Sequence, residues 1–322
     1  MPPDFETHTQ NAVRVLYFSD TGVARKPHPQ LAQCFTFDET YDVVRDIRTM
    51  SYNAQCDELF IADGDGVVRS TRVRANSGAA DLHDVYPYGG SALDTSTDVT
   101  SVCHISDSDT LFICLSERPP QIGVFALMKY RVNWLVVLSR SRSKWHEAYR
   151  LQTEQLPTLS CALSDSRVLI GNNDSEYLQL IHVQSGPLIA HEQRILVPEK
   201  YRYFSATCGS GGDKHVAMSY ADESVRVHRL VGDKLEEMAR IRLEIPYLLL
   251  WVAARLFVSV LDGSGVVELK LNDKRLECLD VLIAATDKIR VWTWCASDDG
   301  LIFCNSNNDD LDELLHYTLK KQ

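Results

Sequence analysis

Residues 255–271 read RLFVSVLDGSGVVELKL. An apolar run at 256–261 meets a tight turn, Asp262-Gly263-Ser264-Gly265, and a second run at 266–271 then alternates apolar with polar side chains. Asp and Gly supply the positive φ and the local hydrogen bonds that a two-strand reversal needs, so this stretch predicts a β-hairpin. The pattern recurs along the chain.

Glu58–Ala62 leads into Asp63-Gly64-Asp65-Gly66 and then Val67-Val68-Arg69. Arg167–Gly171 precedes Asn172-Asn173-Asp174, residues 215–218 precede Asp222-Glu223, and residues 300–304 precede the polar run 305–310. A further copy at 110–114 runs into Ser116-Glu117-Arg118-Pro119-Pro120. Aligned on the apolar pair, the copies begin at Leu59, Leu111, Leu169, Val216, Leu256 and Leu301, in steps of 52, 58, 47, 40 and 45 residues. Each hairpin is preceded by another short apolar strand, at 46–52, 99–105, 157–163, 201–207, 247–253 and 290–295. Most are followed by a fourth, such as 235–243 or 275–283. Four strands per repeat of about 40–50 residues is one propeller blade. A single blade cannot bury both of its faces, so the blades must stack on one another.

The expected fold is therefore all-β: a single propeller of four-stranded blades, seven or six in number, over residues 11–322. Residues 1–10 read as a disordered leader, and strands are expected at 12–19 and 31–37. Pairing of N- and C-terminal strands would close the ring and remove its free edge. Two segments break the period and are expected as insertions, near 75–98 and 128–157. The second reads as a third-and-fourth-strand pair, a lobe between blades, or both.

Composition narrows the function. Net charge is −11, from 44 acids and 33 bases, which argues against a general nucleic-acid binder. The longest apolar runs, around Trp134 and Leu248, fall short of the ~20 residues of a membrane span, and the N-terminus lacks the order of a secretory signal. Nine cysteines, none in a CxxC pair, read as buried reduced thiols of a cytoplasmic or nuclear protein. Ten scattered histidines give no zinc spacing. No cofactor or catalytic motif is readable: Cys208-Gly209-Ser210-Gly211-Gly212 lacks the Lys and helix of a phosphate loop, and Ser141 with Lys144 is a bare SxxK.

Two groups remain as partner-binding candidates. Asp63, Asp65, Asp222 and Asp262 sit in the second-to-third-strand turns, where turn chemistry alone accounts for them. Read functionally, they form an acidic face that steers a basic segment. Arg140, Arg142, Lys144 and Arg150, interleaved with Ser139, Ser141, Ser143, Trp145 and Tyr149, make the chain's basic-aromatic cluster. It suits a phosphate, an acidic peptide or a single strand, its serines are open to phosphorylation, and its bland alternative is a solvated loop. Trp145 and Tyr88, in polar surroundings, suit an interface; Trp134, Trp251, Trp292 and Trp294 suit the core.

The repeat resembles the WD40-like β-propeller superfamily over nearly the whole chain, with Ser224-Val225-Arg226-Val227-His228 and Arg290-Val291-Trp292-Thr293 nearest its strand endings. No repeat has the Gly-His start or the Trp-Asp end of that superfamily. The resemblance implies a rigid, non-catalytic scaffold that binds a protein partner, a basic or phosphorylated peptide segment among the options, within a larger intracellular complex. The alternative is a metal-dependent hydrolase of the six-bladed lactonase type, whose ligands would be Asp, Asn and Glu at the pore mouth.

Overall fold

The structure is a computed structural model that describes residues 30–35 and, from 47 to 318, the strands with their shorter connections. The longest stretches outside that description are 1–29, 36–46, 74–81, 87–96 and 118–131. The expected leader, the expected strand at 12–19, and the candidates Tyr88, Asp65 and Asp262 lie outside the described residues. Within the described residues the chain forms strands and no α-helix, in two compact units: Phe35–Asn172 with Leu178–Gln193, and Met1–Cys34 with Asn173–Tyr177 and Arg194–Gln322.

Strand β1 (Gln30–Phe35) opens the described chain. In the first unit, β2 (Thr49–Asn53), β3 (Glu58–Ala62), β4 (Val68–Arg72) and β5 (His83–Tyr86) pair in sequence order. So do β6 (Thr97–Ile105), β7 (Thr110–Glu117), β8 (Val132–Ser141) and β9 (Lys144–Thr153). A third set runs β10 (Leu159–Leu163), β11 (Arg167–Gly171), β12 (Tyr177–Val183) and β13 (Ile189–Leu196).

The second unit repeats the meander in β14 (Tyr203–Cys208), β15 (His215–Tyr220), β16 (Ser224–Val231) and β17 (Lys234–Arg242). Next come β18 (Leu249–Val252), β19 (Arg255–Val260), β20 (Gly265–Asn272) and β21 (Arg275–Ile283). Last, β22 (Val291–Ala296), β23 (Gly300–Asn305) and β24 (Glu313–Thr318) share a sheet with β1 in the order β1-β24-β23-β22. The hairpin expected at 255–271 is β19–β20, paired antiparallel from Leu256↔Leu269 to Val260↔Gly265. The period-breaking segment at 128–157 carries β8 and β9, a third-and-fourth-strand pair.

Burial explains the hydrophobic code. The second strand of each set lies between two hydrogen-bonded neighbours and is covered on both faces, so β7 is buried from Thr110 to Ser116 and β19 from Leu256 to Val260. Strands buried on both faces read as continuous apolar runs. A fourth strand such as β17 keeps one face wet and alternates.

Alternate residues of one second strand serve two different interfaces. Leu111, Ile113 and Leu115 of β7 pack with Phe60, Ala62 and Val68, whereas Phe112 and Cys114 pack with Val168 and Ile170. Likewise Leu256, Val258 and Val260 of β19 meet Ala217, Val225 and Val227, while Phe257 meets Val291, Trp294 and Leu301. The middle set of each unit thus buries both faces against its neighbours, and the period of two divides the core between them.

First strands are polar where neighbouring sheets approach. The Val102 and His104 amides donate to Thr49 Oγ1 (3.3 Å) and Ser51 Oγ (2.9 Å), and the Ser101 and Ser160 hydroxyls lie 2.6 Å apart. In the second unit the Ser219 hydroxyl donates to the Tyr247 carbonyl at 2.8 Å.

Among the described cysteines, Cys103, Cys114, Cys161, Cys295 and Cys304 are buried, and burial pushes the thiols of Cys103, Cys114 and Cys295 well up. No helix among the described residues is long and apolar enough to cross a membrane.

Candidate interaction surface at the β8–β9 hairpin

The turn aspartates that the structure describes are committed to their own sheets. Asp63 is 1% exposed; its Oδ1 accepts from the Val67 amide at 3.1 Å and its Oδ2 from Arg69 of β4. Arg69 in turn lies 3.3 Å from Asp84 of β5. The second unit repeats this arrangement. Asp222 accepts from Ser224 and from Arg226 of β16, which also lies 3.6 Å from Glu237 of β17. Burial acts to raise the Asp222 pKa, but the hydrogen bonds from Ser224 and Arg226 outweigh it and hold the carboxyl below its usual range. A turn carboxylate clamps a third-strand arginine, and a fourth-strand acid backs it. Asp222 remains exposed at its turn; Asp63 does not.

The basic run divides into anchors and display. It is a hairpin in which Ser141 pairs with Lys144 and Arg140 with Trp145, leaving Arg142 and Ser143 as the two turn residues. Arg140 is an anchor. It pairs with Glu58 of β3, its Nε lies 3.3 Å from Asp109 Oδ2 without hydrogen-bonding alignment, and its guanidinium covers the Trp145 ring at 4.3 Å.

Trp145 is half-buried and edge-on to Phe60 (5.6 Å) and to His104 (6.4 Å). His104 stacks on Phe60 at 5.2 Å, and its Nε2 lies 3.1 Å from Asp109 Oδ1. Burial lowers the His104 pKa against the opposing pull of Asp109, so the neutral ring donates from Nε2 and leaves Nδ1 buried without a partner. Arg150 is a second anchor: it pairs with Glu117 (3.2 Å) and Glu147 (2.9 Å), donates to the Tyr86 hydroxyl and lies over Trp134. The hydrogen bond from Arg150 to Glu147 is the main cause that raises its pKa.

Arg142, Ser143 and Lys144 are exposed, and neither cation meets a carboxylate among the described residues. Arg142 (φ 50°) and Ser143 (φ 66°) are both left-handed, as a two-residue turn of type I′ requires. Asn-Gly is the usual occupant, and a side chain other than Gly, Asn or Asp costs about 1–2 kcal/mol at each such position. The hairpin thus holds a strained, doubly charged tip on a base braced by aromatic and ionic contacts.

Sequence reasoning found Arg140, Arg142, Lys144 and Trp145 but missed Glu58, Phe60, His104 and Asp109, which separate anchor from display. Glu58 lies 82 residues before Arg140, so no local spacing signals the pair. The tip shares an end of its unit with the first-to-second-strand turns, represented by Glu58 and Asp109, whereas Asp63 belongs to the opposite turns. The structure therefore does not bring Asp63 together with the basic tip. Among the described residues no three His, Cys, Asp or Glu side chains converge as metal ligands would.

No family model matches the chain, and no curated protein sequence matches it. Solved structures do. A chain from the crystal structure of a mitotic checkpoint complex is 14% identical, with 93% of this chain and 98% of that chain covered at a TM-score of 0.56. The WD40 repeats of RRP9 are 10% identical, with 91% and 99% covered at a TM-score of 0.57. The fold is that of a β-propeller. A glucose dehydrogenase is as similar in shape, at 11% identity, 91% and 100% coverage and a TM-score of 0.58. WD40 repeats and an enzyme thus share this architecture, and the fold leaves function to the chain's own side chains.

Proposed function

We propose that this chain is a non-catalytic protein-interaction scaffold, a six-bladed propeller within a larger intracellular complex, whose β8–β9 tip receives an acidic or phosphorylated segment of a protein partner. The order β1-β24-β23-β22 supports the six-bladed, terminally closed reading: every described strand then falls in a run of four, two of these runs being joined into one eight-stranded sheet by the pair Leu196↔Lys234 of β13 and β17. One observation carries the functional reading: of four basic residues in the run, two are neutralised by carboxylates and brace the hairpin, and the two at its tip are exposed and meet no carboxylate among the described residues.

On a chain of net charge −11 this positive tip stands out from its background, which favours encounter with anionic groups. The WD40 repeats of RRP9 and a chain from a mitotic checkpoint complex among the structural matches fit a scaffold role. The test compares partner recovery on the intact chain and on the Arg142→Glu/Lys144→Glu variant, in low and in raised salt. A partner held by the intact chain, released by salt and lost by the variant supports the reading. Equal recovery on both chains overturns the assignment to the tip.

A further inference from the structure

We propose that Ser143 is a phosphoacceptor for a basophilic protein kinase, and that its phosphate switches the charge of the β8–β9 tip. The consequence for binding rests on the tip being the partner contact; the modification does not. Three serines in the run looked equivalent in sequence, and the structure separates them. The Ser139 hydroxyl is taken by His146 Nε2 at 2.9 Å. Ser141 is the last strand residue of β8, paired with Lys144. Ser143 occupies the turn itself, exposed, between two exposed cations, Arg142 and Lys144, whose charge complements the acidic substrate groove of a basophilic kinase.

Kinases act on locally extended segments, so the tip must open. Opening costs little here because both turn residues leave left-handed backbone as it happens, and only the terminal pair Ser141↔Lys144 is given up. The next pair, Arg140↔Trp145, is held by Glu58, Phe60 and His104 and stops the fraying. In the reaction Ser143 Oγ attacks the γ-phosphorus of ATP. The Oγ–P bond forms as the bond to the β–γ bridging oxygen breaks; ADP departs with that electron pair, and the hydroxyl proton passes to the kinase's base. A phosphoserine carries about −1.5 to −2 charge at pH 7, enough to cancel Arg142 and Lys144 together.

The folded full chain is incubated with ATP and the catalytic subunit of a basophilic kinase, then mapped by mass spectrometry beside Ser141→Ala and Ser143→Ala variants of unchanged Tm. One phosphate per chain on Ser143, retained in Ser141→Ala and lost in Ser143→Ala, is expected. No uptake by the folded chain, uptake only after denaturation, or phosphate on another serine overturns the proposal. Affinity for an oligoglutamate peptide is then measured before and after modification, and a fall of about tenfold or more is expected, equivalent to 1.4 kcal/mol. Phosphate on Ser143 with unchanged affinity overturns the switch and leaves the site standing; an unmodified chain with no oligoglutamate affinity instead sinks the tip as an anion contact.

Discussion

Asp63 and Asp222 occupy the same turn of their respective sheets and clamp the same kind of third-strand arginine, yet they differ in burial. Arg69 keeps Asp84 as Arg226 keeps Glu237, so burial sets the difference: Asp63→Ala takes a buried acceptor from both Arg69 and the Val67 amide and should lower stability by about 3 kcal/mol. Asp222, a third exposed in its side chain, leaves Arg226 with Glu237 nearby, and Asp222→Ala should cost about 1–2 kcal/mol. Urea denaturation of the two variants checks this order; an equal loss would mean the clamp works without regard to burial. In sequence both residues read as interchangeable turn formers. The difference is invisible there because it depends on what neighbouring sheets and loops cover.

At the scale of the element, hairpin turns record where backbone geometry is forced. Gly66 (φ 78°) ends the turn that Asp63 begins, and a Cβ there would lie 2.6 Å from the Thr97 carbonyl oxygen. Gly232 (φ 62°) is the first turn residue between β16 and β17, and a Cβ there meets nothing. Gly66→Ala should therefore cost both strain and a clash, about 3 kcal/mol, and Gly232→Ala strain alone, about 1 kcal/mol. Thermal melts of the two variants distinguish them. The β8–β9 turn runs the other way: Arg142→Asn with Ser143→Gly supplies the residues a type I′ turn favours and should stabilise by about 1 kcal/mol while removing a tip charge. A raised urea midpoint together with weaker anion binding is the expected result; an unchanged midpoint would refute the strain.

For the molecule as a whole, acid stability depends on buried neutral histidines. His228 is 1% exposed, its Nε2 lies 3.0 Å from the Tyr220 hydroxyl, and burial first, then the charge of Arg226, lowers its pKa to about 4. Because the unfolded chain binds this proton at its ordinary pKa near 6.5, folding stability is full above that pH and falls as pH drops toward 4. The loss from His228 reaches about 3 kcal/mol, and His104, also lowered, acts in the same direction. Urea midpoints between pH 7 and pH 4.5 should fall for the intact chain and fall less for His228→Gln. Equal slopes would rule out His228 as the proton acceptor.

The alternation and length of apolar runs determined, by themselves, the strand order, the hairpins and the four-strand repeat. Glu58–Ala62, Arg167–Gly171 and Arg275–Ile283 fall where the sequence places them, because strand burial is periodic along the chain and leaves its mark in consecutive residues. Tertiary structure alone decided which charges are free. Arg140 and Arg142 are two residues apart and alike in type, but one is neutralised by Glu58 of β3 and Asp109 of the turn before β7, and the other is held out on a turn. Pairing across distant strands carries no local period, so a basic run shows that cations are present and only the packed sheets show which are available to bind.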